Sequence, residues 1–182
     1  MPEVGDAVAV IGQNQAHSNQ SSAREKVLEH LFVGELLRCL WCRGARDIEI
    51  LRSEVDNGGY DVVLEGHGVM RHIQFKASHR QARTAQVGIN VSLVRRPSGC
   101  VIWIKFDPET MELGPFLWFG GDPGQPLPPL GDRIGRHTKG DRTGTKAERP
   151  NIRLLRRSCF TTLRTIGEVA DRLFGDYPLT NG

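Results

Sequence analysis

The sequence predicts an α/β protein in which a mixed β-sheet is flanked by helices. Two observations lead to this class. Apolar residues recur at helical spacing after Ser22 and again after Thr165, and each stretch starts with a capping-box sequence. Between them, short runs rich in β-branched and aromatic residues alternate with turn residues, as strands do. With 182 residues, 38% of them hydrophobic, the chain is long enough for one well-buried core.

The elements follow in order along the chain. The first helix is predicted from Ser22 to near Gly44, and a final helix from Thr165 to just before Gly175. Between them, strands are predicted at residues 47–52, 60–65, 69–77, 100–106 and 114–119, with an edge strand at 151–155. Residues 60–65 and 69–77 form a hairpin around a Gly-His-Gly turn, and the apolar run at 100–106 is predicted to be a buried central strand. The pair formed by 100–106 and 114–119 is expected to close the sheet.

Two regions lie outside this pattern. Residues 1–21 are polar and aperiodic, and we expect them to form a flexible N-terminal arm. Residues 120–150 contain many glycines, prolines and basic residues and are predicted to form a long surface loop. The domain division is therefore an arm at 1–21 and one domain at 22–182.

Composition and charge argue against a membrane protein and indicate the kind of partner that the chain binds. No apolar run approaches the ~20 residues needed to span a bilayer, so no membrane partner is expected and the protein is predicted to be cytoplasmic. The four cysteines are expected to be free thiols for that reason. Residues 1–65 carry 6 basic and 11 acidic groups, whereas residues 131–182 carry 11 basic and 6 acidic groups. The excess of positive charge in the last third favours a polyanionic partner.

The stretch with the clearest chemistry is the hairpin. Side chains two apart on a strand share a face, so Gln74 and Lys76 point the same way, and Asp61 begins the neighbouring strand. Asp61 shares that face only if it lies opposite an even-numbered residue such as His72 or Gln74. A carboxylate and an amide oxygen next to an ammonium suit hydrolysis of a phosphodiester with a bound Mg²⁺. The alternative without a functional site is that Gln74 and Lys76 are exposed polar residues on a half-solvated strand and that Asp61 caps a turn.

Residues 22–119 resemble the PD-(D/E)XK, or restriction-endonuclease-like, nuclease superfamily. The likeness rests on a helix with Glu29, a strand, a glycine-rich turn before Asp61, and a hairpin to Gln74-x-Lys76. Gln74 replaces the family's acidic residue, as in members similar to the Mrr-type restriction enzymes, and Tyr60 stands where the family name has proline.

The resemblance implies a restriction-endonuclease-like core and a DNA endonuclease that depends on Mg²⁺ or Mn²⁺. It implies Asp61, Gln74, Lys76 and Glu29 as catalytic residues, and Asp61, Gln74 and Glu29 as metal ligands. The helix glutamate is left open, because Glu25 and Glu35 are alternatives to Glu29. A second copy of the chain is a candidate partner.

Charge favours a polyanionic partner, and the resemblance implies that this partner is DNA, held by basic side chains in the second half of the chain. The candidates for binding its backbone are Arg80, Arg83, Lys139, Arg142, Lys146, Arg153 and Arg156. Two other functions stay open at this point. The substitution at Gln74 is also compatible with a nuclease-like module that binds nucleic acid without cutting it, and a protein-interaction domain would have its basic residues dispersed away from Lys76.

Overall fold

The structure is a computed structural model that describes residues 4–52, 58–137, 144 and 146–175, with only the backbone described for residues 4–20. Helix α1 runs from Val4 to Cys42, and helix α2 runs from Ile166 to Phe174. The strands of the described residues are β1 Glu49–Leu51, β2 Val62–Gly66, β3 Val69–His79, β4 Gln86–Asn90, β5 Gly99–Phe106, β6 Leu113–Gly120, β7 Ile134–Arg136, β8 Glu148–Arg156 and β9 Thr161–Leu163. A 3-10 helix spans Val91–Arg95.

The central sheet has six strands in the order β1-β2-β3-β5-β6-β9. Strands β3 and β5 are parallel, and the other neighbouring pairs are antiparallel, so the sheet is mixed. The predicted α/β class, a mixed sheet flanked by helices, is confirmed. The predicted hairpin of β2 and β3 and the central position of β5 are confirmed as well.

The core consists of two hydrophobic layers, one on each face of the central sheet. On one face, α1 and α2 pack against sheet residues such as Ile73 and Ile102. On the other face, Val101 and Trp103 pack against Ile89 of β4 and residues of β8. Every residue of β5 is buried, because both of its faces are covered.

The cover on that second face is a three-stranded antiparallel sheet in the order β4-β8-β7, which the sequence did not predict. Its presence corrects two expectations. The region 120–150 is not one long loop, because β7 lies within it and β8 begins at Glu148. The predicted edge strand at 151–155 belongs to β8, which is the middle strand of this second sheet.

Two further boundaries differ from the prediction. Helix α1 begins at Val4, so the helix start predicted at the Ser22 capping box is wrong. Strand β6 does not end the central sheet, because β9 pairs with its outer side. The division into an arm at 1–21 and one domain at 22–182 stays a prediction.

Helix α2 is held at both ends. The Thr165 hydroxyl accepts the backbone N–H of Glu168 at 3.1 Å, which confirms the predicted cap. At the other end, the fully buried Arg71 side chain donates to the carbonyls of Leu173 and Arg172, each at 2.7 Å. A charged donor thereby satisfies carbonyls that the last helical turn leaves without intrahelical partners.

All four cysteines are free thiols, as predicted. Complete burial raises the pKa of the Cys100 thiol to about 12, so it is a packing residue and not a nucleophile. Among the described residues, no helix is long and apolar enough to cross a membrane.

Candidate active site

The ladder of the β2–β3 hairpin begins at Val62, one residue after Asp61. Val62 pairs with Ile73, and Val63 pairs with His72. The ladder does not extend back to Asp61, whose backbone N–H donates to the Ile73 carbonyl at 2.8 Å, so the regular register does not continue to a pairing of Asp61 with Gln74. The Asp61 carboxylate accepts the backbone N–H of Phe75, whereas the Gln74 side chain accepts that of Asn90 in the second sheet. The two side chains therefore contact different elements, and the predicted shared face of Asp61, Gln74 and Lys76 stays a prediction.

A cleft of about 480 Å³ lies where this end of the hairpin meets helix α1. Its lining contains both Asp61 and Lys76 from the sheet and Glu29 from the helix. The remaining lining residues are Ser22, Glu25, Lys26, Leu28, Phe75, Ala77 and Ile104. The cleft therefore combines carboxylates and ammonium groups over an apolar floor, which is the composition expected of a small polar site.

The Asp61 carboxylate is fixed in the cleft by the neighbouring strand. Its Oδ2 accepts the backbone N–H of Phe75 at 2.6 Å, while Oδ1 accepts no hydrogen bond from the described residues. Desolvation raises the pKa of the Asp61 carboxyl, and the charge of Glu29 adds to that rise, whereas the hydrogen bond from Phe75 and the charges of Lys76 and Lys26 oppose it. A carboxylate that is both oriented and short of compensating charge is suited to receive a cation.

The Glu29 carboxylate is buried and forms ion pairs with two basic side chains. Its Oε1 accepts from Arg52 at 2.5 Å, and its Oε2 accepts from Lys26 at 2.9 Å. The side chain is 6% exposed, against 38% for Arg52 and 67% for Lys26. In this arrangement both oxygens of Glu29 are used by protein donors, so a cation would have to compete with Arg52 or Lys26 for them.

The other two helix glutamates are placed differently. Glu25 lines the same cleft as Asp61 and accepts a hydrogen bond from the Ser21 hydroxyl at 3.4 Å. Glu35 lies in a separate groove on α1 with Arg38, and desolvation raises its pKa. Of the three candidates, Glu29 and Glu25 lie by the hairpin and Glu35 does not.

Gln74 is buried beside the cleft and is not among the described residues that line it. Its side-chain Oε1 accepts the backbone N–H of Asn90, the last residue of β4, at 3.1 Å. The side chain is therefore oriented by the second sheet. An amide oxygen has a second lone pair, so this hydrogen bond does not by itself prevent the oxygen from binding a cation.

A divalent ion fits this donor set only in a limited way. In the described ranges, no group of three or more His, Cys, Asp and Glu side chains is arranged to hold a metal. Mg²⁺, however, is commonly held by one or two protein carboxylates and keeps several waters. Asp61, whose Oδ1 accepts no hydrogen bond from the described residues, fits that pattern, whereas the Gln74 oxygen is turned to the second sheet.

The candidates for binding DNA are not gathered on one surface. Arg80 donates to the Gly114 carbonyl at 2.7 Å and forms an ion pair with Glu112 at 3.1 Å, so it braces the β5–β6 turn. Arg83 is exposed in the segment before β4. The second sheet carries Arg153 and the exposed Arg156 on β8, and the exposed Lys146 directly precedes that strand. Lys139 and Arg142 lie outside the described residues.

Sequence reasoning missed Lys26 and Arg52. The signal for Lys26 was present, because it lies three residues before Glu29 on the same helix and such pairs are neighbours. Arg52 is 23 residues from Glu29, directly after β1, and only the tertiary structure brings the two side chains together.

Comparisons with known proteins add little to this geometry. No family model matches the sequence, and no curated protein matches it. A solved structure that is similar to this chain is Hjc, a Holliday junction resolvase from the archaeal hyperthermophile Archaeoglobus fulgidus. The two share 16% sequence identity with a TM-score of 0.38, over 74% of this chain and 96% of that chain. A likeness at this level assigns neither a function nor a site.

Proposed function

We propose that this chain is a divalent-metal-dependent DNA endonuclease that hydrolyses phosphodiester bonds at a PD-(D/E)XK-type site of the Q-x-K form. The observation that carries the proposal is the cleft that Asp61, Lys76 and Glu29 line together. Two strands and a helix supply these groups, in the order along the chain that the superfamily uses.

The metal ligands of the proposal are Asp61 and Gln74, with Glu29 as a third. Asp61 Oδ1 accepts no hydrogen bond from any residue that the structure describes, and the Gln74 oxygen, which accepts from Asn90, retains one lone pair. Glu29 would become a ligand if the metal ion displaced Arg52 or Lys26 from one of its carboxylate oxygens. A bound Mg²⁺ or Mn²⁺ would supply Lewis-acid stabilisation of the phosphate charge and lower the pKa of a water.

Lys76 has the role of a charged donor at the reacting phosphate. It follows Gln74 on the same face of β3 and lines the cleft with Asp61. Its ammonium can orient the attacking water or stabilise charge on the phosphate oxygens as that charge develops. Removing one such donor commonly lowers kcat by ~100-fold or more.

The decisive experiment separates cleavage from binding. Purified wild type and Lys76→Ala are incubated with plasmid, duplex and branched DNA, with EDTA, Mg²⁺ or Mn²⁺. We expect cleavage by the wild type only with a divalent ion and at least a ~100-fold loss in Lys76→Ala. Binding of the same DNA in EDTA should stay within a few-fold. Arg38→Ala, a surface change beside a different groove, should cut like the wild type.

A second function has a specific observation in its favour. Glu29 is saturated by Arg52 and Lys26, and Gln74 lacks the charge of the usual ligand, which together favour a non-catalytic module that binds nucleic acid. DNA binding without cleavage under every metal condition would select this module. Absence of both binding and cleavage would refute both functions.

A further inference from the structure

The second sheet contains a cleft of its own, of about 590 Å³. Its lining includes four exposed side chains that are cationic or can become so: Arg133, Arg136, His137 and Lys146. Two acids, Asp132 and Glu148, line it too. Among the described residues, none lines both this cleft and the one that contains Asp61.

The basic side chains of this cleft contribute little to the stability of the fold. Arg136 forms an ion pair with Glu148 at 3.4 Å, and both side chains are more than half exposed, so the pair is worth ~1 kcal/mol at most. The core under this sheet consists of Ile89, Leu155 and other apolar residues, to which the exposed cations do not belong. Their concentration here is therefore unexplained by packing.

The chain segment that contains most of the cleft has an excess of basic residues. Among the described residues from 132 to 157, the Arg and Lys side chains are at positions 133, 136, 146, 149, 153, 156 and 157, and the acidic ones are only Asp132 and Glu148. Arginine's planar fork matches two phosphate oxygens at once, and lysine adds a point charge. Exposed arginine and lysine side chains in one cleft are suited to bind a chain of phosphates.

We propose that this cleft, defined by Arg133, Arg136, His137 and Lys146, binds backbone phosphates of DNA away from the reacting phosphodiester. The inference rests on the proposed function for its choice of DNA. The second sheet covers the face of the central sheet opposite α1, so this is a second contact and not an extension of the Asp61 cleft. The substrate is accordingly DNA long enough to reach both clefts.

The test compares two double variants that remove equal charge. The first variant removes two charges from the cleft through Arg133→Gln and Lys146→Gln. The control removes two charges elsewhere through Arg38→Gln on α1 and Arg164→Gln directly before the Thr165 cap of α2, and both of these residues are exposed. Binding to duplex DNA is measured by fluorescence anisotropy in EDTA over a salt series. We expect the cleft variant to bind roughly tenfold more weakly per lost contact at moderate salt, and its salt slope to fall by ~0.9 per contact. The control should retain the wild-type slope.

A charge-conserving variant keeps the result interpretable. Arg133→Lys with Lys146→Arg should restore most of the affinity, which a misfolded sheet would not do. Equal losses in cleft and control variants, or tighter binding of an RNA duplex than of DNA, would overturn the proposal. A wild type that binds DNA through this cleft but cuts nothing would leave the inference standing and refute only the nuclease function.

Discussion

The buried carboxylate of Glu29 offers the sharpest test of how the candidate site is built. Glu29→Gln keeps an acceptor oxygen but removes the charge that holds Arg52 at 2.5 Å and Lys26 at 2.9 Å. A hydrogen bond to a charged group contributes ~1.5–3 kcal/mol when it is well shielded. Lys26 is mostly exposed, so its ion pair with Glu29 contributes less than ~1 kcal/mol to the free energy of unfolding. The shorter bond from Arg52 therefore contributes most of the stability that is lost.

We therefore expect Glu29→Gln to lower the free energy of unfolding by about 1–2 kcal/mol. For a chain of this length that corresponds to a Tm lower by roughly 2–8 °C. Arg52→Gln should cost about as much, because it leaves the buried carboxylate with Lys26 alone. The double variant should cost less than the sum of the two by ~1 kcal/mol, since both single changes remove the same interaction.

The assay is urea and thermal unfolding of the wild type, both single variants and the double variant in EDTA, followed by calorimetric titration of Mn²⁺. If Glu29 also serves as a metal ligand, Arg52→Gln should raise Mn²⁺ affinity by freeing an oxygen, while Glu29→Gln should lower it. Strict additivity of the two stability changes, to within ~0.5 kcal/mol, would refute the coupling. Identical Mn²⁺ binding in all four proteins would remove Glu29 from the metal site.

Two further changes test the neighbouring elements. Gln74→Glu replaces a neutral amide by a carboxylate of nearly the same shape, so the affinity for divalent ions measured by calorimetry should rise. The control variant Asp61→Asn should lower that affinity. If neither variant changes it, no metal site exists here. Arg71→Met removes the buried donor to the Leu173 and Arg172 carbonyls and should lower the free energy of unfolding by at least ~3 kcal/mol, with Arg38→Met as an exposed control. A melting temperature equal to that of the wild type would contradict the role of Arg71 as the anchor of α2.

The features that could be predicted from the sequence are those that short stretches of the chain encode. Apolar spacing marked the buried face of α1 through Phe32, Leu36 and Leu40, and the continuous apolar run of β5 marked a strand covered on both sides. Strand alternation put Gln74 and Lys76 on one face, and the capping box at Thr165 marked the start of α2. In each case the signal lies within a few residues, where one periodicity or one cap decides the structure.

The second sheet shows what a local pattern cannot encode. Strands β4 and β8 pair at Gln86 and Arg156, 70 positions apart in the chain. β7 has only three residues, and of β8 only the part at 151–155 was predicted as a strand, because most of its other residues are exposed. They become strands because pairing and packing on the central sheet stabilise them. This is also why the long loop predicted at 120–150 was wrong.

The chemistry of the site depended on tertiary structure in the same way. Sequence left Glu25, Glu29 and Glu35 open, because each lies on the same helix and the direction of each side chain depends on what α1 packs against. Only the fold directs Glu29 to the hairpin, brings Arg52 onto its carboxylate, and hydrogen-bonds Gln74 to Asn90 of the second sheet. Those contacts join distant segments, and their geometry is set by the packed core, which no short stretch of sequence contains.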